Sequence, residues 1–326
     1  EMLEVKKEKN ETLNKLKEIE QVRNEIVLST SIQDCQFFEI PENLNLQIIE
    51  KEAFSQSSIN EITIPTGTIE LKEGCFIDMP KLTRVGISSN NHQFTMYDNK
   101  IIIGKSSLEK SDFDVLVFCI KNATQVKIPD FIEIIDSYAF YKCKQLKQVE
   151  ISNDSKLRII GKNAFNECPI EKITIPSKTT IIDEDSFNSC QNLKYVEIPE
   201  NSELKIIGAH AFFDCSIEKI SFPSSLTTIK RSAFSFCKNL QFALFPSDSQ
   251  LQTIEGDALY NTKIECFSLP PHTKNIGFST FNDCECLKIF EISDYSELIY
   301  FDKEFFADQY NLIIMISRSF IDRFNL

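Results

Sequence analysis

The residues of this sequence best suited to chemistry are its 11 cysteines, because thiols form disulfides, bind zinc and act as nucleophiles. The close pair Cys284 and Cys286 has no second pair at a usable distance, so the spacing does not predict a zinc site. One cysteine per recurring segment instead predicts a buried column of free thiols, with some disulfide formation as the alternative. Six cysteines share that recurring position: Cys143, Cys168, Cys190, Cys215, Cys237 and Cys284.

Other groups that catalyse reactions are scattered. The three histidines, His92, His210 and His272, lie far apart, and none belongs to a nucleophile or metal motif. A glycine-rich loop that could hold phosphate is missing, and the carboxylates recur with the repeat as solvated turns do. We therefore expect a protein that is not an enzyme, with no catalytic residues, no bound metal ion and no cofactor.

The elements that position the cysteines are segments built around an Ala-Phe pair. From Phe140 onward the aromatic positions alternate between steps of 25 and 22 residues, so the full period is 25 + 22 = 47. A period in the twenties is typical of a solenoid of stacked coils. The anchor positions are Phe54, Phe76, Phe140, Phe165, Phe187, Phe212, Phe234, Leu259, Phe281 and Phe306.

The residues of each coil have recurring roles that their types explain. A stretch Leu-x-x-Val-x-Ile predicts a short strand, and the proline that usually follows ends it because proline cannot donate to a ladder. An Ile-Ile pair returns the chain to the core, the alanine lets neighbouring coils approach, and the phenylalanine fills the interior. A single coil buries too few side chains to offset its backbone entropy, so stacking is obligatory.

This pattern resembles the BspA-like branch of leucine-rich repeat proteins. The matching motifs are Leu-x-x-Ile-x-Ile-Pro and Ile-x-x-x-Ala-Phe-x-x-Cys, as in Ile170 to Cys190 and Ile217 to Cys237. The resemblance implies a right-handed, β-rich leucine-rich-repeat solenoid with a parallel sheet on the concave face. It also implies the family's role in surface adhesion and protein–protein contact in microbes of mucosal surfaces.

The chain is expected to divide into three parts. Residues 1–31 predict a helix with a narrow apolar stripe, either a coiled-coil stem or a solvated leader helix. Residues 32–317 predict the solenoid, with a strand-rich insertion at about 88–122. Within it, Phe94 to Tyr97 and Lys100 to Ile103 predict a β-hairpin, either a binding protrusion or a packed decoration. Residues 318–326 are either a C-terminal cap or a truncated continuation.

Net charge and hydropathy limit the partners. The formal charge of −13 argues against nucleic acid, and no stretch approaches the ~20 apolar residues of a membrane span. The resemblance implies a cell-surface location. A cytoplasmic location is the alternative, since no signal peptide is visible and the cysteines look free.

The outward x positions of the strands should carry the binding surface. They are polar in the middle of the array, as at Lys147, Gln148 and Glu150, and apolar toward the C-terminus. Because parallel strands lie about 4.8 Å apart, the apolar positions should form a contiguous strip, unless a C-terminal cap or missing residues cover it. The outward apolar residues are Tyr195, Phe242, Leu244, Ile289, Ile313, Ile314 and Ile316, and five form the predicted binding surface: Tyr195, Phe242, Leu244, Ile289 and Ile314.

These observations predict a non-catalytic protein-binding or adhesion protein that presents a solenoid surface to host or cell-surface proteins. The identity of the protein ligand is open. The alternative is an intracellular leucine-rich-repeat scaffold that forms a homo-oligomer through residues 1–30.

Overall fold

A computed structural model describes residues 26–28, 40, 45–293, 295–300 and 312–316. These residues fold into β-solenoid turns, about 11 in all, and none of them is helical. The chain divides into two compact units, residues 1–123 with 137–139, and residues 124–136 with 140–326.

In the second unit, the Leu-x-x-Val-x-Ile stretches form the front strands. The central residue of most front strands is buried and its neighbours face outward, as the two-residue period of a strand requires. These strands are β9 (Gln125–Lys127), β11 (Gln148–Glu150), β13 (Lys172–Thr174), β15 (Tyr195–Glu197), β17 (Lys219–Ser221), β19 (Phe242–Leu244), β21 (Cys266–Leu269), β23 (Ile289–Ile292) and β24 (Ile313–Met315). They pair in parallel in three groups: β9 with β11; β13, β15, β17 and β19; β21, β23 and β24.

The Ile-Ile pairs and their equivalents form the back strands of this unit, which also pair in parallel. The second residue of each pair is buried, as Ile160 and Ile182 are, whereas the first is half-buried or exposed and faces outward. Each pair therefore gives one side chain to the core. The bounds are β10 (Ile134–Ile135), β12 (Ile159–Ile160), β14 (Ile181–Ile182), β16 (Ile206–Ile207), β18 (Thr228–Ile229), β20 (Thr253–Ile254) and β22 (Asn275–Ile276).

A third side of each turn, the anchor turn, surrounds the Ala-Phe pair without forming a strand. Around Phe187, the residues two before and two after, Asp185 and Ser189, have positive φ angles of 55° and 57°. The amide of Phe187 donates to the carbonyl of Ala211 in the next turn at 2.8 Å. The same pair of positive φ angles recurs at all nine described anchors. The anchor amides of Phe140, Phe165, Phe212, Phe234 and Leu259 also donate to a carbonyl of the next turn.

The anchors themselves form the predicted core column. The rings of Phe140, Phe165, Phe187, Phe212 and Phe234 stack with centroids 4.6 to 5.2 Å apart and planes within 10° of parallel. Leu259 continues the column as a smaller side chain. Phe306 lies outside the described residues.

In the first unit, three parallel strands pair in one group and two in another. The first group is β1 (Ile26–Leu28), β2 (Leu46–Ile49) and β4 (Glu70–Leu71), and the second is β3 (Glu61–Ile64) with β5 (Arg84–Ile87).

The insertion of the first unit adds three antiparallel strands, β6 (Phe94–Tyr97), β7 (Ile101–Gly104) and β8 (Val115–Cys119). The hairpin predicted from the sequence is present, and its turn residues Asp98 and Asn99 both have φ of 50°. All four residues of β7 are buried, and Phe118 lies 4.9 Å from anchor Phe76. This packing favours the interpretation of the insertion as a packed decoration of the solenoid over that of a binding protrusion.

The predicted N-terminal helix is wrong at its last residues. Residues 26–28 form β1, which pairs in parallel with β2. Three consecutive apolar residues, two of them β-branched, favour a strand when the edge of a neighbouring strand is available. The helical spacing of apolar residues in the sequence does not show that this edge is present. The rest of the predicted helix, and residues 318–326, lie outside the described residues.

Candidate binding surface

The recurring cysteines are structural. The Cys190 thiol donates to the carbonyl of Phe165 in the preceding turn at 3.0 Å, and Cys237 does the same to Phe212. Burial raises the pKa of both thiols to about 12, because a thiolate would lack solvation there. Cys190, Cys215, Cys237 and Cys284 carry free thiols, as predicted, whereas Cys35 lies outside the described residues.

The other reactive side chains do not converge. Within the described ranges, no group of three or more His, Cys, Asp or Glu side chains could hold a metal ion. His272 Nδ1 lies 2.7 Å from Glu297 on the surface, and the His210 ring contacts Phe213. Among the residues placed, no helix has the length and apolar character needed to cross a membrane. The surface itself is the candidate site.

On the front strands, outward residues align in columns from turn to turn. The register places Lys172, Tyr195, Lys219 and Phe242 side by side on β13, β15, β17 and β19. Farther along, Cys266, Ile289 and Ile313 lie side by side on β21, β23 and β24, at the equivalent position of the repeat. The column therefore changes from polar to apolar at Phe242.

The apolar end of the front face is contributed by β19 to β24. Phe242 is 45% exposed and Leu244 43%, while Ile313 is 61% and Met315 51% exposed. Ile289 is half-buried between Cys266 and Ile313. We define the apolar strip as Phe242, Leu244, Ile289, Ile313 and Met315.

Two of the predicted binding residues take other positions. Tyr195 is exposed but separated from Phe242 by Lys219, so it does not extend the strip. Ile314 pairs with the buried Phe290 and thus belongs to the inward column, although 36% of it is exposed.

The Leu-x-x-Val-x-Ile motif aligns Leu312 with Leu287, and therefore Ile314 with Ile289. The observed register instead pairs Ile313 with Ile289, and a shift of one residue exchanges the faces of the side chains. The outward positions of Cys266 and Met315, which the sequence analysis did not include, follow from their alignment with Ile289 and Glu291.

Tyr195 instead lies in an open groove of about 650 Å³ on β13, β15 and β17, which we call the Tyr195 groove. Its tyrosine is 54% exposed. Glu197 beside it accepts hydrogen bonds from Lys172 Nζ at 2.7 Å and Thr174 Oγ1 at 3.0 Å. The bond from Lys172, followed by that from Thr174, lowers the pKa of Glu197, so this carboxylate is ionised near neutral pH. The remaining lining side chains include Asn153, Lys194, Glu218, Lys219 and Ser221.

A family model supports the repeat interpretation. The model for the BspA type leucine-rich repeat region matches the chain in 6 copies, over residues 28–114, 114–241 and 205–324. A search of curated proteins found no match.

Several solved structures share the fold. A leucine-rich cell surface protein of Faecalibacterium prausnitzii is 29% identical, with a TM-score of 0.56, covering 64% of this chain and 54% of that one. A leucine-rich repeat protein of Eubacterium ventriosum is 20% identical, with a TM-score of 0.59, covering 84% and 67%. One from Bacteroides ovatus is 22% identical, with a TM-score of 0.51, covering 87% and 62%. The chain thus spans only 54% and 62% of the F. prausnitzii and B. ovatus proteins.

Proposed function

Because the chain belongs to the BspA-type leucine-rich repeat family, we propose that it is a non-catalytic protein-binding protein whose apolar strip contacts a host or cell-surface protein. The cell-surface part of the proposal is supported by the similarity to the F. prausnitzii protein, which is a leucine-rich cell surface protein. The observation that carries the binding part is the strip itself.

The strip has the properties of an interface. Apolar side chains exposed singly are ordinary on a protein surface, whereas aligned ones usually mark a contact site. Phe242 and Leu244 lie on β19, Ile289 on β23, and Ile313 and Met315 on β24, while Cys266 and Ser268 face outward on the intervening strand β21. Residues of this kind, once desolvated by a partner, carry most of the energy of an interface.

The experiment begins with a screen of host-cell and extracellular-matrix proteins, using the full chain as bait. For a partner found in this way, the double variant Phe242→Ser with Leu244→Ser should weaken binding by more than tenfold, measured by surface plasmon resonance. Its matched control is Lys147→Ser with Gln148→Ser, which alters outward polar residues of an earlier turn and should change affinity less than threefold, because exposed polar contacts contribute little.

Two outcomes would contradict the proposal. If the strip variant binds as the wild type does while the control loses affinity, the site lies on the polar part of the front face. If the strip variant fails to fold, judged by thermal melting, these side chains are core residues. Fluorescent labelling of intact, unpermeabilised cells tests the surface location separately.

A further inference from the structure

The Tyr195 groove differs from the apolar strip in composition and in position. Its aromatic ring is flanked in register by two lysines, Lys172 on one side and Lys219 on the other. We propose that this groove binds a neutral oligosaccharide. This activity goes beyond the protein contact proposed for the strip, because it uses other side chains and another class of ligand.

The ring of Tyr195 provides the platform. It lies on a strand in the middle of a parallel group and is about half exposed, so part of its side chain is accessible to a ligand. Aromatic rings attract weakly positive C–H groups because their faces are negatively polarised. The C–H face of a pyranose ring presents such groups in a flat array. A tyrosine also keeps a hydroxyl that can bond to sugar hydroxyls at the ring's edge.

The polar side chains around the ring offer both acceptors and donors. Glu197 is held in place by Lys172 and Thr174, which leaves an ionised, oriented acceptor beside the ring. On the opposite strand, Lys219 and Ser221 supply donors. Sugar hydroxyls both donate and accept, so one ligand can satisfy both kinds of group.

An apolar ligand fits this lining poorly. It would cover the charged and hydroxyl groups without bonding to them, and a polar group desolvated without a partner costs free energy. Lys194 and Lys219 are exposed, so their ammonium groups are available to a ligand. A ligand rich in hydrogen-bonding groups can replace the water that these groups would lose.

The charge of the front face favours a neutral sugar over an anionic one. Although the whole chain carries −13, the outward front positions from residue 124 to residue 291 are balanced, with six lysines against six glutamates. A net negative protein repels anionic glycans at long range, and a balanced groove adds no compensating attraction. The lysines are Lys127, Lys147, Lys172, Lys194, Lys219 and Lys288, and the glutamates are Glu150, Glu171, Glu197, Glu218, Glu265 and Glu291.

The size of the groove is compatible with a short oligosaccharide. Its volume of about 650 Å³ falls within the range of ligand sites in proteins. Because the groove is open, a chain can extend beyond the residues that hold its central sugar. A shallow site of this kind predicts modest affinity.

The test uses the full chain on a printed array of neutral and anionic oligosaccharides, followed by saturation-transfer NMR with the neutral glycans that bind. Tyr195→Ala should weaken binding by about tenfold, since an aromatic contact contributes on this scale. Tyr195→Phe should retain most of the affinity because it keeps the ring. Lys219→Ala should also weaken binding, and the strip variant Phe242→Ser with Leu244→Ser serves as the control that leaves it unchanged.

Each contrary result has a clear meaning. Failure to bind any neutral glycan on the array, or equal binding by the wild type and Tyr195→Ala, overturns the proposal. So does a preference for anionic glycans, which would make the site a cation cluster. A protein partner that loses affinity with Tyr195→Ala, without glycan binding, would assign the groove to the protein interface. Loss of protein binding in the strip variant alone bears only on the function proposed above.

Discussion

The anchor turns and the front strands repeat with the same spacing. They differ in whether the same type of residue recurs at equivalent positions. In the anchor turns, five phenylalanine rings stack nearly parallel from Phe140 to Phe234. On the front strands, one outward column changes from Lys172 through Tyr195 to Phe242 within four turns.

The difference follows from what each residue contacts. An anchor contacts the equivalent anchors of the turns before and after it, so a change in one leaves its neighbours without partners. An outward front residue contacts solvent and its immediate neighbours in the sheet, so it can vary without disturbing the stack. The interior of this solenoid therefore specifies the fold, and its front face is available to specify the ligand.

The largest expected effect is at an anchor. Phe187→Ala should lower the free energy of unfolding by about 3–5 kcal/mol, because it opens a cavity between the rings of Phe165 and Phe212. Tyr195→Ala, on the front face, should change it by less than about 0.5 kcal/mol. Urea unfolding measures both. If both variants lost the same free energy of unfolding, the anchor turns and the front strands would not differ in their contribution to stability.

The next effect concerns the distance between turns. A Cβ added at Gly208 would lie 2.4 Å from the backbone carbon of Asp183, so Gly208→Ala must push two turns apart. We expect a loss of about 1–3 kcal/mol, the usual scale of overpacking.

The control is Gly86→Ala on a front strand. There the nearest atom, at 2.9 Å, is the Thr63 hydroxyl of a side chain that can rotate. Thermal melting should separate the two variants, and a neutral Gly208→Ala would show that the turns separate easily.

A smaller effect is expected at the positive φ angles of the anchor turns. Asp185 has φ of 55°, which a β-branched residue adopts at a cost, so Asp185→Val should destabilise by about 1–2 kcal/mol. Asp185→Asn should be nearly neutral, because asparagine tolerates this conformation and its side-chain oxygen can still accept the hydrogen bond from Asn188 Nδ2. Chemical denaturation of the pair would contradict the strain argument if both variants lost the same stability.

Among the interior variants, the smallest effect is expected at the recurring cysteines. Cys190→Ala removes a hydrogen bond to Phe165 and should cost about 1 kcal/mol, whereas Cys190→Ser keeps a donor. Since burial raises the pKa of Cys190 to about 12, the native thiol stays protonated and should resist alkylation at pH 8.

The sign of the pH dependence follows from the same shift. An unfolded thiol ionises near pH 8.5, so its contribution to stability should be lost as the pH rises from there toward 12. Mass spectrometry after iodoacetamide treatment at pH 8 checks the protection. Rapid alkylation of Cys190 in the folded protein would mean that this thiol is accessible to solvent.

By itself, the sequence determined the repeat, the anchors from Phe54 to Phe281, the free thiols such as Cys190, and the hairpin around Asp98 and Asn99. These features were predictable because each turn packs against copies of itself. A spacing that recurs along the chain is then also a contact in space. The hairpin was predictable because its turn chemistry is local.

Only the tertiary structure decided which outward residues lie next to one another. It placed Lys219 between Tyr195 and Phe242, and it paired Ile313 rather than Ile314 with Ile289. It also buried the polar residue Ser202, whose hydroxyl oxygen accepts a hydrogen bond from the amide of Leu204 at 3.2 Å. Side-chain direction and burial depend on the register with neighbouring strands. A shift of one residue leaves the composition unchanged and reverses the face.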